Sequence, residues 1–156
     1  MCTIAYIKNR PKRAKQDIIT YKEVVVISHH LIISKCRGFN YTLGELYKTN
    51  IIADVRPVDA ISRITDIEEY FIVRKRVKPS DPILSISNGF HSFSSLERIK
   101  KSGPLIGTIV ECLIPAGSKI VTGIDKGLIV SDQIIIAGVI TPCRIEEGGC
   151  EDMMYT

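Results

Sequence analysis

The apolar positions of this chain fall mostly into short β-branched or alternating runs separated by turn residues, and only two stretches carry a helical spacing. Tyr21 to Ser28 contains Val24-Val25-Val26-Ile27, the run expected of a buried strand, and Leu31-Ile32-Ile33 follows the polar Ser28-His29-His30. The two runs therefore predict a hairpin or one long bent strand. Cys36 to Asn50 sets Phe39, Tyr41, Leu43, Leu46 and Tyr47 among Gly38, Asn40 and Gly44, which reads as short strand pieces around turns. In Phe71 to Lys78, Val73, Lys75 and Val77 alternate with Arg74, Arg76 and Lys78, predicting a strand with three cations along one side, ended by Pro79 and Pro82. Ile83-Leu84-Ser85-Ile86 is a further strand. Thr108 to Ile114 is another, with Val110, Cys112 and Ile114 on one face, and Ile120-Val121, Leu128-Ile129-Val130 and Ile134 to Ile140 supply three more.

The helical spacings lie in Asp59 to Tyr70 and after Phe93. In the first, Ile61, Ile64 and Ile67 recur every three residues, and Thr65 with Glu68 has the form of a capping box. In the second, Ser94 and Glu97 form such a box, Leu96 and Ile99 share a face, and Lys100 and Lys101 suit the negative end of the helix dipole. Gly103-Pro104 is the stop, so a helix capped by Ser94 and running to about Ser102 is predicted. Pro11 and its charged neighbours make residues 1–16 an irregular basic arm, and residues 141–156, with Gly148-Gly149, a flexible tail. The expected fold is one α+β domain over 1–156: a curved, mostly antiparallel sheet with one or two short helices.

Composition agrees with a folded chain, since 45% of residues are hydrophobic and 24% charged, values that exclude wholesale disorder. The formal charge of +4 is concentrated early, because Lys8, Arg10, Lys12, Arg13 and Lys15 all precede the first acid, Asp17. The start of the chain has no signal-type apolar run, and no run is long enough for a membrane helix, so a cytoplasmic protein is expected. Its five cysteines are scattered without a C-x-x-C pair, which predicts reduced thiols and no zinc site.

Candidate chemistry is sparse. His29 and His30 are adjacent, so on a strand they would point to opposite faces and read as a polar turn before a metal pair. His91 lies between Phe90 and Phe93 just before the predicted helix, whose first N–H groups favour an anion. His91, Ser92, Ser94 and Ser95 are therefore candidate ligand-binding residues, with Arg74 and Arg76 as phosphate partners. The competing expectation is that the phenylalanines are core and the serine a cap. There is no phosphate loop, nucleophile elbow or zinc-protease helix, no catalytic residue stands out, and no cofactor or metal is implied. With no Trp and no recognisable nucleic-acid motif, specific base reading has little support.

Gly89-Phe90-His91-Ser92-Phe93-Ser94-Ser95, Ile109 to Leu113 and Gly127 to Ile134 together resemble the C-terminal half of the ADP-ribosyltransferase fold, in its poly(ADP-ribose) polymerase-like branch. That resemblance implies a glutamate at the position of Leu128 and an NAD-binding tyrosine near His91. This chain has neither. Met1-Cys2, Asp17 to Lys22, Gly89 to Phe93 and Ile114 to Lys119 also resemble a group of small proteins from Bacteroides-type bacteria and their phages, which implies a mobile-element origin and no particular activity. The resulting expectation is a non-catalytic, phage-associated binding protein. Such a protein could act in counter-defence, with a host protein or a nucleotide ligand as its partner. The alternatives are an ADP-ribosyltransferase-like enzyme, with Glu111 or another acid in place of the missing glutamate, and a virion or assembly component acting through its surfaces, for which an oligomer would be natural.

Overall fold

A computed structural model of the chain describes residues 3–34, 39–58, 67–102 and 107–140, the side chains of 67 and 68 excepted. The expected tail at 141–156, the Thr65 box, the Gly103-Pro104 stop and every cysteine but Cys112 lie outside these residues. The described part is mostly antiparallel sheet with two short helices, as the strand-rich pattern predicts. No helix among the described residues is long and apolar enough to cross a membrane.

Two sheets make the frame. The larger follows the order β2 (Lys12–Arg13), β11 (Lys119–Thr122), β12 (Leu128–Ser131), β9 (Phe90–Phe93), β3 (Ile18–Ser28), β10 (Thr108–Ile114), β13 (Gln133–Val139), β6 (Leu46–Lys48). β4 (Leu31–Ser34) pairs with the end of β3, and β5 (Asn40–Tyr41) pairs with β4. The β3–β4 connection is a true hairpin whose turn is His29-His30, both exposed, with their carbonyls accepting from Leu43 N–H at 2.8 Å and Thr42 Oγ1 at 3.1 Å. The smaller sheet has the order β1 (Thr3–Ala5), β8 (Pro82–Asn88), β7 (Ile52–Pro57).

Strand alternation sorts the side chains into layers. On the inner face of the large sheet, Val24, Val110, Cys112, Ile134 and Ile136 pack with Phe90, Ile32 and Tyr41, so the sheet curls around its largest core. On the outer face, Val121 and Val130 pack against Ala5, Leu84 and Ile86 of the small sheet. The far side of the small sheet is covered by α1 (Ile67–Arg76), whose Val73 meets Ile4, Ile83 and Ile124. Next to the small sheet, α2 (Leu96–Lys101) lays Ile99 and Leu96 on Tyr21, Phe93, Ile109 and Ile140.

Residues 3–16 are not an irregular arm: Thr3, Ile4 and Ala5 are fully buried as the central layer's edge strand, and Lys12–Arg13 pairs with Lys119 and Ile120. Charge density near Pro11 masks a three-residue buried segment, begun by the polar Thr3 and too short to show a period. Phe71 to Lys78 is not a strand but largely the body of α1. Glu69, Val73 and Val77, one helical turn apart, join Ile72 on the inward face, a spacing hidden because the first member of the row is an acid. The helix cap of α2 is Ser95, one residue later than expected: its Oγ accepts from Arg98 N–H at 3.0 Å, and the helix ends at Ser102, whose N–H reaches Ile99 O. The one-residue shift follows from Phe93 and Ser94, which are still held by sheet contacts with Leu128, Tyr21 and Gly127.

Candidate functional site

The segment Gly89 to Arg98 is placed by its backbone. Gly89 has φ +139°, and a Cβ there would collide with Val130 Cγ1, so only glycine turns β8 into β9 this tightly. β9 then runs between β12 and β3 with His91 opposite Val130, Ser92 opposite Ile129, and Phe93 opposite both Leu128 and Tyr21.

That register fixes what each candidate residue can do. His91 is buried on the face that meets the small sheet; its Nδ1 lies 3.1 Å from Gly89 O, and its own carbonyl accepts from Lys22 Nζ at 2.8 Å. Ser92 is fully buried on the opposite, inner face, so His91 and Ser92 cannot line one cavity. Ser94 is exposed and its N–H donates to Gly127 O, while Ser95 is occupied as the cap. Arg74 and Arg76 are exposed at the end of α1, where cations complement the helix dipole, and Arg74 lies over Tyr70 with its Nη1 3.3 Å from the Tyr70 hydroxyl. The arginines lie on α1 and Ser95 caps α2, and the two helices pack on different cores.

The structure instead assembles a polar cluster around the β11–β12 turn. Arg98 Nε donates to Asp125 Oδ2 at 2.5 Å, Asp125 Oδ1 accepts from Gly127 N–H at 3.0 Å, and the guanidinium lies 5.1 Å from the Phe93 ring centre. At the other end of the turn, Glu69 of α1 is fully buried against Gly123, where a Cβ would approach Glu69 Oε1 to 2.6 Å. Gly127 likewise leaves room for the Arg98 stem, which a Cβ would meet at 2.6 Å. The sequence signal for this cluster is the pair of glycines flanking Asp125, which sets close approach at both ends of the turn. Its residues hold the turn between the helices and are closed to solvent, so they position structure rather than present a reacting group.

The position at which the resembling enzymes place a glutamate is apolar and sealed. Leu128 is 1% exposed and faces Phe93. Cross-strand pairing continues from Phe93 to Tyr21 and from Tyr21 to Glu111, so Glu111 stands three strands from Leu128, roughly 14 Å at ordinary strand spacing. Burial raises the Tyr21 hydroxyl above its usual pKa, with the Glu111 charge adding to the effect.

The open part of the outer face is different in kind. Ile19 pairs with Leu113, Leu113 with Ile135, and Ile135 with Leu46, which sets four apolar side chains in one row across β3, β10, β13 and β6. Ile19 and Leu46 are each 45% exposed, while Leu113 and Ile135 between them are half-buried. Tyr21 and Ile109, further along the same face of β3 and β10, are packed under Leu96 and Ile99 of α2, whereas among the described residues no helix packs on the Ile19 row. Comparison with protein-family models, curated proteins and solved structures finds no match for this chain.

Proposed function

We propose that this chain is a non-catalytic binding protein whose partner is another protein, docked on the open outer face of the large sheet. The observation that carries this reading is the Ile19–Leu113–Ile135–Leu46 row: a contiguous apolar stripe, exposed at Ile19 and Leu46 and half-buried between them, is the kind of surface that another protein covers. A nucleotide ligand has less support, because Ser92 is enclosed in the core and Ser95 is engaged by its own helix. The ADP-ribosyltransferase-like reading of the second half retains the order strand, helix, strand, strand pair, but without a carboxylate at Leu128 it describes a scaffold and not an NAD-cleaving enzyme. A phage-associated role in the host cytoplasm, counter-defence included, rests on the resemblance to small Bacteroides and phage proteins. A host protein is then the natural partner.

The test is a photo-crosslinking side chain placed at Leu113 or Leu46 and, as control, at Ala116, in cells of the host. A discrete adduct from the first two positions, absent at the third and lost on Ile19→Lys, is expected. No adduct, or the same adduct from all positions, would overturn the docking face. A rise in melting temperature with NAD, ADP-ribose or a cyclic nucleotide would return the partner to a nucleotide.

A further inference from the structure

The small sheet ends in an edge of unusual composition. β7 pairs with β8 from Ala53 opposite Ile86 to Pro57 opposite Pro82, and among the described residues no strand pairs with its other side. Apart from Ala53 the strand is exposed, and it carries two large apolar side chains, Ile52 at 48% and Val55 at 55% exposure. An unpaired edge presents a row of backbone N–H and C=O groups that another strand can complete. The usual blunting devices sit only at its ends: the register shift falls between Ile52 and Ala53, and the proline is the last residue. Ala53 to Arg56 is regular strand with both charges pointing to one face.

Those charges select the strand that fits. Asp54 and Arg56 are two residues apart, so they share a face with Val55 between them on the other. When two copies of this strand meet antiparallel about a twofold axis at Val55, Asp54 of each stands directly opposite Arg56 of the other. A twofold centred one residue earlier would oppose Asp54 to Asp54, and one residue later Arg56 to Arg56. Only the Val55-centred register makes both charge contacts favourable, and it also brings the most exposed apolar side chain of the edge against its own copy. Pro57 then meets Ala53 at the rim, where its missing N–H removes no more than one bond at each end.

We propose that β7 is a self-association edge: two copies of the protein pair antiparallel along Ala53 to Pro57, with Asp54 of each opposite Arg56 of the other. The small sheets join into one of six strands in the order β1, β8, β7, β7, β8, β1. This edge and the Ile19–Leu113–Ile135–Leu46 row are separate surfaces, so the dimer stands whether or not that row binds a partner.

The experiment is sedimentation of the full chain across a wide concentration range, with three charge variants. Wild type is expected to show a concentration-dependent dimer. Asp54→Arg alone and Arg56→Asp alone each replace two attractive contacts by two repulsive ones and should weaken dimerisation by about tenfold or more. The double variant Asp54→Arg/Arg56→Asp restores complementarity and should dimerise as wild type does. Mixing the two single variants should give a heterodimer, since one then offers only cations and the other only anions. Both positions are exposed, and unchanged circular dichroism will verify that the variants are folded. A wild type that stays monomeric throughout overturns the proposal, as does a dimer indifferent to the single reversals. A dimer abolished by Leu113→Lys but not by Asp54→Arg assigns the contact to the outer face and overturns it equally.

Discussion

Arg98 and Asp125 form an ion pair between α2 and the β11–β12 turn, with 2.5 Å between Nε and Oδ2 and each side chain only 8% exposed. Removing one partner strands a charge where water cannot reach it, which costs about 3–5 kcal/mol for a buried pair. Asp125→Ala is therefore expected to destabilise the protein on that scale. Arg98→Met combined with Asp125→Ala should cost clearly less than the two single changes added together. Urea denaturation of the four proteins gives the coupling directly. Additive losses would mean that the pair contributes nothing beyond its separate side chains.

The cap of α2 can be assigned by substitution. Ser95→Ala removes the acceptor for Arg98 N–H and should cost about 1 kcal/mol. Ser94→Ala should cost much less, because the bond from Ser94 to Gly127 O is made by the backbone. The reverse order of effects would restore Ser94 as the cap.

Those two serines show what could be read from the chain and what could not. The strands of the large sheet were legible because alternation with period two is local: Val110, Cys112 and Ile114 are buried together as their spacing predicts. A helix between Phe93 and Gly103 was legible too, but not its first residue, since Ser94 and Ser95 have equal capping chemistry and the choice is made by sheet contacts from Gly127 and Leu128. α1 was misread because Glu69, its most buried described residue, is an acid, and its burial depends on the turn at Gly123 more than fifty residues away. The Arg98–Asp125 pair and the Ile19–Leu113–Ile135–Leu46 row were invisible for the same reason. Each is made by strand order and register, which no local pattern states.

Cys112 is a free thiol fully enclosed in the main core. Burial pushes its pKa up to about 12, and the Glu111 charge adds to this, while Lys22 and a hydrogen bond with Thr20 oppose it. Burial also raises Tyr41 beside it. Because the unfolded thiol ionises near its ordinary value of about 8.5 while the folded one stays neutral, stability is intact below that pH. It then falls through the window up to about pH 12, by as much as about 1.4 kcal/mol per pH unit for this group. Cys112→Val, close in volume, should flatten the decline between pH 9 and 12 measured by denaturation. Identical slopes for the two proteins would contradict the assignment. The native thiol should also resist aromatic disulfide reagents that modify it at once in urea.

Leu128 can neither orient a ribose nor stabilise an oxocarbenium ion, and Glu111 is three strands distant. An acid does come close to Leu128: a Cβ on Gly123 would lie 2.6 Å from Glu69 Oε1 and 3.4 Å from Leu128 Cβ. Glu69, however, has no solvent exposure, so no substrate reaches its carboxylate. Transition-state charge stabilisation requires a group aimed at the reacting carbon, and binding energy elsewhere does not supply it. Incubation of the protein with labelled NAD should therefore yield neither nicotinamide nor ADP-ribosylated protein or nucleic acid. Wild type, Glu111→Gln, Glu69→Gln and His91→Ala should all match the no-protein control. Turnover by wild type that Glu111→Gln or Glu69→Gln abolishes would make the protein an enzyme and would require the outer sheet face or the α1 packing to open on substrate binding.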